Sequence, residues 1–166
     1  MLKPVSEWIK HSFQTVENVS SDSLEQLLKE DRDRVVLVDV RSPGEFEVSH
    51  LQGAVRVEPD NTAMDSVIQQ LDLGLAGGEE LREIICYCTT GYQAAHLAQN
   101  LNTFLESECG RGLRGQLKVS NLEGGFLKWT RENRAIVDSS NQPTTLVHPY
   151  NELWVELLKA EFKAPV

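Results

Sequence analysis

The sequence predicts an α/β fold built around a mainly parallel β-sheet. Short apolar runs alternate along the 166 residues with segments whose apolar side chains recur at helical spacing, and such alternation is typical of β-α-β units. Residues 35–40 are apolar at every position except Asp39, as expected of a strand that is buried on both faces of a parallel sheet. Ligands of such folds bind beyond the carboxyl ends of the strands, so functional residues are expected there.

Two helices are predicted ahead of that strand. Within residues 1–18, Ile9, Phe13 and Val16 follow one another at spacings of four and three, which predicts a short amphipathic helix. Trp8 belongs to the same apolar segment. Residues 20–22 are Ser, Ser and Asp, which are good N-caps, and they precede a second helical pattern over residues 24–29.

A helix, a strand and another helix are predicted after the strand over residues 35–40. Ser42 is a natural N-cap, Pro43 suits the first helical position, and Glu45 completes a capping box. Residues 54–57 form a short apolar run that predicts a strand. Residues 61–73 are expected to be helical, with one apolar stripe. The stripe consists of Met64, Val67, Ile68 and Leu71.

The second half of the chain repeats the alternation. A strand over residues 84–87 leads into a helix over residues 92–106, and residues 117–119 are apolar enough for another strand. The polar stretch 138–143 is expected to be a surface linker. Residues 150–162 are expected to form a last amphipathic helix, whose stripe consists of Leu153, Trp154, Leu157, Leu158 and Phe162.

The predicted chain therefore has three parts. Residues 1–18 are a helical extension, residues 19–137 are the α/β domain, and residues 138–166 are the linker and the last helix, packed on the domain. We expect a monomer, with a homodimer through the last helix as the alternative, because an exposed apolar stripe of this size needs a partner.

Cys88 is the strongest candidate for chemistry. It follows the predicted strand 84–87 and precedes a polar turn that contains Gly91 and leads into the helix over residues 92–106. Backbone amides and the positive end of a helix dipole are therefore expected to point at the sulfur. Both stabilise a thiolate, which is the reactive form of cysteine. Without such a setting, a single free cysteine is more often a buried and inert side chain.

Composition and charge exclude several classes of function. A net charge of −9 and a pI near 4.9 argue against a chain-wide nucleic-acid surface and against electrostatic docking on an anionic membrane. No run of 18 apolar residues predicts a transmembrane helix, and charged residues interrupt the first 13 positions, unlike a secretory signal. Three cysteines do not make a disulfide framework. We expect an intracellular, cytoplasmic protein, with an organellar location left open.

Three motifs in order resemble the rhodanese, or sulfurtransferase, family. Residues 38–46 followed by 50–54 are similar to that family's D-V-R-x-x-x-E-[YF] and G-H-I-x-G-A stretches. Residues 87–93, with the sequence Tyr-Cys-Thr-Thr-Gly-Tyr-Gln, are similar to its active-site loop, and residues 122–129 to its L-x-G-G-x-x-x-W stretch. The resemblance implies a three-layer fold in which about five strands carry helices on both faces.

The resemblance also implies an activity. Cys88 would take a sulfane sulfur from thiosulfate or a persulfide, carry it as a persulfide, and pass it to a thiol or cyanide. The loop would hold this anion through its amides; its members are Thr89, Thr90, Gly91, Tyr92 and Gln93. No metal and no organic cofactor would be needed. The expected partners are a small-molecule or protein sulfur donor and a thiol acceptor, with no nucleic acid and no membrane.

Other polar residues near the motifs are interpreted as structural. Asp39, Arg41, Glu45 and His50 invite comparison with a catalytic constellation, but a buried ion pair and a capping carboxylate explain them better. Sulfur transfer needs no general base once the thiol is ionised. Cys86 is expected inside the strand and inert. Cys109 is interpreted as an incidental surface thiol. His96 is expected to pack rather than to catalyse.

One departure and three alternatives follow from the same motifs. Gln93 stands where many family members have Arg, so weaker use of thiosulfate is expected. A phosphatase of this fold needs an Arg six positions after the cysteine, where this chain has Ala94. A non-catalytic or redox-sensing interaction module is the second alternative, and arsenate reduction is the third.

Overall fold

The computed structural model describes residues 2–58, 63–71, 82–89, 91–108 and 117–146. The helices are α1 (Leu2–Ser12), α2 (Ser21–Glu30), α3 (Pro43–Val48), α4 (Met64–Leu71), α5 (Tyr92–Glu106) and α6 (Gly125–Arg131). The strands are β1 (Glu17–Val19), β2 (Val35–Asp39), β3 (Val55–Arg56), β4 (Arg82–Tyr87), β5 (Leu117–Leu122), β6 (Ile136–Val137) and β7 (Pro143–Thr144). A short 3₁₀ turn, Arg32–Arg34, precedes β2.

Five strands form one parallel sheet in the order β1-β5-β4-β2-β3. β4 lies at its centre, in register with β2 on one side and β5 on the other. The carboxyl end of β4 is therefore flanked by two neighbouring strand ends, which is where an open α/β sheet offers a site. The predicted α/β fold with a mainly parallel sheet is confirmed.

Two apolar clusters cover the two faces of the sheet. One cluster joins α1, α4 and α5 to residues such as Ile84 and Val119. The other joins α2 and α6 to residues such as Ile85 and Leu122. Successive residues of β4 alternate between these clusters because side chains of a strand point alternately to opposite faces. The three-layer arrangement with helices on both faces is confirmed.

The predicted helix starts have a local cause in the sequence. The Ser20 hydroxyl accepts from the Ser23 amide at 3.1 Å and caps α2. Ser42 and Glu45 form the complete capping box of α3, with Pro43 in its first position. The helix predicted over residues 61–73 is observed as Met64–Leu71, and its remaining positions lie partly outside the described residues.

Strand β1 is a finding that the sequence did not predict. Its residues, Glu17–Val19, carry a single apolar side chain, so the spacing of apolar residues indicates neither a strand nor a helix there. It pairs in parallel with β5 from Ser120 to Leu122, and it crosses the expected boundary between residues 18 and 19. Pairing on both edges also explains why β5 continues to Leu122, beyond the short run expected over residues 117–119.

The stretch expected to be a linker, 138–143, belongs to a two-stranded hairpin: residues 138–142 are the turn between β6 and β7, and Pro143 begins β7. Asn141 adopts a positive φ of 63° there, and the Asp138 carboxylate accepts from the amides of Ser140 and Gln142 at 2.9 and 3.0 Å. The helix expected over residues 150–162 lies outside the described residues. None of the helices in the described ranges is long and apolar enough to cross a membrane.

Candidate active site

Cys88 follows the last residue of β4 and is nearly buried, with 4% of its surface exposed. Its Sγ atom accepts hydrogen bonds from the Gly91 amide at 3.1 Å and from the Ala94 amide at 3.5 Å. Gly91 is the N-cap of α5 and Ala94 lies in its first turn. The first amides of a helix have no partner within the helix, so the start of α5 directs donors and positive dipole at the sulfur.

The loop turns at Gly91, which has a φ of 111°. Residues with a Cβ atom rarely adopt this conformation. A Cβ atom there would also lie 3.3 Å from Nδ2 of Asn121 and 3.6 Å from Cδ1 of Ile9. Glycine therefore lets the chain reverse in a tight space and place its amide against the sulfur.

The start of α6 fixes the other side of the loop. The Phe126 amide donates to the Cys88 carbonyl at 2.8 Å, and the Leu127 amide donates to the Thr89 carbonyl at 3.0 Å. A Cβ atom on Gly125 would lie only 2.5 Å from the Cys88 carbonyl oxygen. The glycine pair of the third motif thus allows α6 to hold the loop carbonyls, so that amides rather than carbonyls face the thiol.

The side chains of the predicted loop have different surroundings. The Thr89 hydroxyl donates to Oε2 of Glu45 at 3.1 Å, which fixes the loop to the start of α3. Tyr92 is 41% exposed, and Gln93 is also exposed at the first turn of α5. Thr90 lies outside the described residues. The loop therefore offers the sulfur backbone donors, while its described side chains either brace the loop or face solvent.

Asp39 and Arg41 form a buried, bidentate ion pair. Nε and Nη2 of Arg41 donate to the two Asp39 oxygens at 2.8 and 2.6 Å, and Nη2 also donates to the Ser49 carbonyl at 2.6 Å. Burial alone would lower the pKa of Arg41, but the adjacent Asp39 carboxylate outweighs it and raises the pKa. The guanidinium lies 4.1 Å from the centre of the Phe126 ring. These contacts join β2 to α6 beneath the loop.

Glu45 and His50 also have partners that account for them. Glu45 is 4% exposed and its Oε1 accepts from the Ser42 amide and hydroxyl at 3.2 and 2.9 Å. His50 Nδ1 lies 2.9 Å from the Phe46 carbonyl, and the two rings stack at 3.9 Å. All four supporting residues named from the sequence thus lie in structural contacts, and only Glu45 contacts the loop, through Thr89.

Two further candidates differ from Cys88. Cys86 is fully buried within β4, and burial raises the pKa of its thiol to about 12, with the neighbouring charge at Cys88 as a second cause. His96 is exposed on α5 and meets the Phe13 ring edge-on. Cys109 lies outside the described residues. In the described part of the chain, no group of three His, Cys, Asp or Glu side chains is placed to hold a metal ion.

Sequence reasoning missed two sets of residues around the loop. Trp8 stacks on Tyr92 with the ring centres 5.5 Å apart, and Ile9 of the same helix packs against Gly91. Asn121 of β5 donates from Nδ2 to Oδ1 of Asn18 in β1 at 3.1 Å, beside the same glycine. The spacing of apolar residues predicted an amphipathic helix in this segment. No local pattern indicated that the helix packs against the Cys88 loop.

Comparison with known proteins decides the family. Residues 20–132, more than half of the chain, match the rhodanese-like domain family. The chain belongs to this family. The resemblance that rests on the three motifs is thereby confirmed, and the match includes the Cys88 loop and the capping motif of α3.

Relatives within this family are distant. A thiosulfate:glutathione sulfurtransferase of Saccharomyces cerevisiae is 28% identical over 80 residues, covering 46% of this chain and 58% of the relative. An uncharacterized protein of Synechocystis is 26% identical over 136 residues, covering 82% of this chain and 64% of the relative. The chain thus spans less than two thirds of the length of both curated relatives.

Solved structures share the fold at low identity. A thiosulfate sulfurtransferase of Pseudomonas aeruginosa aligns with a TM-score of 0.57 and 13% identity, over 96% of this chain and 26% of that one. A Saccharomyces cerevisiae protein, described as a homologue of single-domain rhodanese and the Cdc25 phosphatase catalytic domain, aligns with a TM-score of 0.59 and 17% identity. That alignment covers 72% of this chain and 82% of the yeast protein.

Proposed function

We propose that this protein is a sulfurtransferase that carries sulfane sulfur as a persulfide on Cys88. The observation that carries the proposal is the pair of backbone amides, from Gly91 and Ala94, that donate to Sγ at 3.1 and 3.5 Å. Such donors stabilise a thiolate before the reaction and the anionic persulfide after it. Membership of the rhodanese-like family gives independent support.

The reaction has two balanced steps. The Cys88 thiolate attacks the outer sulfur of thiosulfate, the sulfur–sulfur bond of the donor breaks, and sulfite leaves with the bonding electron pair. With a persulfide donor, the leaving group is the donor's thiolate. An acceptor thiolate or cyanide then attacks the outer sulfur of the Cys88 persulfide, which releases a new persulfide or thiocyanate and regenerates the Cys88 thiolate. Neither step needs a metal, a redox cofactor or a general base.

The loop favours particular substrates. Residues 88–94 contain no Lys or Arg, so the doubly charged thiosulfate ion gains no fixed side-chain charge from them. We propose that persulfides are better donors than thiosulfate and that a low-molecular-weight thiol such as glutathione is a suitable acceptor. The yeast relative, which is named a thiosulfate:glutathione sulfurtransferase, supports glutathione as the acceptor, whereas the preference for persulfides rests on the uncharged loop.

Phosphoryl and arsenate chemistry fit the site less well. The position where such a phosphatase needs an Arg is Ala94, which is fully buried and gives its amide to the sulfur. A phosphate has three equatorial oxygens that need positive partners in the transition state. The phosphatase-related yeast structure shares the fold at 17% identity, and a shared fold does not carry an activity.

Mass spectrometry of the intact protein tests the proposal directly. Treatment with thiosulfate or glutathione persulfide should add the mass of one sulfur atom, and peptide mapping should assign it to Cys88. Subsequent addition of glutathione or cyanide should remove the added sulfur and yield a persulfide or thiocyanate. A protein that stays unmodified at Cys88 with both donors would contradict the proposal and favour the interaction-module alternative.

A further inference from the structure

The N-terminal helix α1 contacts the Cys88 loop, although it precedes the family match, which begins at residue 20. Ile9 of α1 is 3% exposed and belongs to the apolar cluster that contains Cys88. Its Cδ1 atom lies 3.6 Å from the place of a Cβ atom on Gly91. Since Gly91 supplies an amide to the sulfur, α1 packs on the backbone that holds the nucleophile.

A second contact joins α1 to the segment on the other side of the loop. Lys10 forms a salt bridge of 3.1 Å with Glu123, which directly precedes the two glycines at the start of α6. Phe13, which directly follows the helix, is also buried, with 7% of its surface exposed. The helix is therefore anchored by two buried apolar side chains and one surface ion pair, and its position beside the loop does not depend on Trp8.

Trp8 and Tyr92 form an exposed aromatic pair at this junction. Their rings stack with centres 5.5 Å apart at an angle of 18°, and 56% of Trp8 and 41% of Tyr92 stay exposed. Phe13 supports the Tyr92 ring from the buried side, edge-on at 5.6 Å. Single exposed apolar side chains are ordinary. Two stacked rings, braced by a third, form a continuous apolar surface on the loop that contains Cys88.

We propose that Trp8 and Tyr92 bind the organic part of a low-molecular-weight thiol or persulfide, and so determine which sulfur substrate the site prefers. The inference rests on the proposed sulfurtransferase activity. Stacked rings attract methylene and amide groups through dispersion and their π faces. They offer nothing to a small inorganic dianion, and residues 88–94 carry no cation that would attract one. The aromatic pair and the uncharged loop together therefore favour organic persulfides over thiosulfate.

Trp8 is the better residue for a test because Tyr92 belongs to the loop itself. Replacement of Tyr92 would disturb the first turn of α5, whereas Trp8→Ala leaves the anchors Ile9 and Phe13 in place. Trp8→Phe keeps an aromatic face. Leu146→Ala is a matched control, since Leu146 is also an exposed apolar residue, with 43% of its surface exposed, and it follows β7 rather than the loop.

The kinetic test compares two donors with cyanide as the common acceptor. For glutathione persulfide and thiosulfate, the ratio of the two kcat/KM values should fall about three- to tenfold in Trp8→Ala, as expected for the loss of one aromatic contact. Trp8→Phe should restore most of the ratio, and Leu146→Ala should leave it unchanged. An unchanged ratio in Trp8→Ala would overturn the inference while leaving the sulfurtransferase proposal intact.

A binding test separates the two proposals. S-Methylglutathione cannot react, so its binding to a Cys88→Ser protein, measured by calorimetry, reports the surface alone. We expect the affinity to fall about three- to tenfold when Trp8→Ala is added. If Trp8→Ala weakened this binding while the protein with Cys88 intact transferred no sulfur, the surface would be supported and the proposed activity contradicted. If Trp8→Ala weakened only transfer to a persulfide-accepting protein, the small-molecule inference would be wrong.

Discussion

Two cysteines, one inside β4 and one just past its end, belong to the same apolar cluster but differ in the backbone around their sulfur atoms. Cys86 lies in the interior of the strand, in register with Val38 of β2 and Asn121 of β5. Cys88 lies two residues later, just past the strand end. Both are buried, with 0% and 4% of their surfaces exposed, so burial does not distinguish them.

The difference is in the neighbouring backbone. Cys86 lies within the sheet ladders on both sides, and burial raises the pKa of its thiol to about 12, with the neighbouring charge at Cys88 as a second cause. Past the strand end, the amides of Gly91 and Ala94 belong to the start of a helix and point at the Cys88 sulfur instead. The comparison predicts that available backbone donors, and not access to solvent, decide which of the two cysteines reacts.

Exchange of each cysteine for serine is the most direct way to break this comparison. Cys88→Ser should lower sulfur transfer by about 10³-fold or more, because a serine hydroxyl cannot form the persulfide. Cys86→Ser should retain most of the activity but lower the free energy of unfolding by about 1–3 kcal/mol, since it buries a hydroxyl in an apolar cluster.

Thiocyanate formation and thermal unfolding measure these two effects separately. If Cys86→Ser lost activity as completely as Cys88→Ser while remaining folded, the two cysteines would act together and the comparison would be wrong.

Gly125 tests whether the loop backbone has to be held in place. Its φ is 62°, and an added Cβ atom would lie 2.5 Å from the Cys88 carbonyl oxygen and 2.6 Å from that of Thr89. Because backbone atoms cannot move aside cheaply, Gly125→Ala should shift the loop and lower kcat/KM by about a hundredfold. It should also lower Tm.

Gly53→Ala is the control for the backbone conformation itself. Gly53 has a φ of 85°, but its added Cβ atom would meet only the end of the flexible Arg32 side chain at 3.0 Å. Both variants carry the cost of a left-handed alanine, about 1–2 kcal/mol. We expect the Gly53 variant to unfold earlier yet to keep its activity. Equal losses of activity would show that stability, not loop position, is being measured.

Ionisation of the two thiols sharpens the comparison further. The donors at Cys88 should place its pKa below the usual value of about 8.5 for a free thiol, and at pH 7 a lowering of the pKa by one unit raises the thiolate fraction about eightfold. The rate of alkylation by iodoacetamide should therefore rise with pH, with a midpoint below 8.5, and then level off. Peptide mapping should assign this midpoint to Cys88, separately from any label on Cys109, and Cys86 should stay unlabelled because burial raises the pKa of its thiol to about 12.

A midpoint at or above that of a free thiol would contradict the role given to the amides. Cys88→Ser supplies the control, since it should remove the component with the lowered midpoint and leave only the alkylation of Cys109.

The sequence predicted the sheet and the place of Cys88 at a strand end for clear physical reasons. Residues 35–40 are uniformly apolar because β2 is buried on both faces, and Ser42 with Glu45 encodes a helix start through purely local hydrogen bonds. The position of Cys88 between a strand and a helix follows from the same local patterns. Structural roles for Asp39 and Arg41 were expected, and the ion pair observed between them agrees with that interpretation.

Contacts between distant segments were not predictable in the same way. β1 is a strand because β5 offers it an edge, not because Glu17–Val19 have a strand pattern. The stacking of Trp8 on Tyr92 joins residues more than 80 positions apart. Patterns within a short stretch of sequence do not indicate such a contact. The donors from Gly91 and Ala94 were anticipated only as a loop of amides, since the sequence does not tell which amide meets the sulfur.

The smallest expected effect concerns the side chain at position 93. If backbone amides carry most of the anion binding, a positive side chain at the exposed start of α5 should add only a modest contribution. Gln93→Arg would place a guanidinium near a doubly charged donor, and exposed charge pairs contribute about 0.2–1 kcal/mol in salt. We therefore expect the KM for thiosulfate to fall about two- to fivefold, and less at high ionic strength because salt screens the added charge. Steady-state kinetics at low and high salt measure this change, and a neutral persulfide ester as donor gives the reference that should not respond. A KM for thiosulfate that stayed constant at low salt would place the bound anion away from position 93, whereas a hundredfold fall would give the side chain the role assigned here to the amides of Gly91 and Ala94.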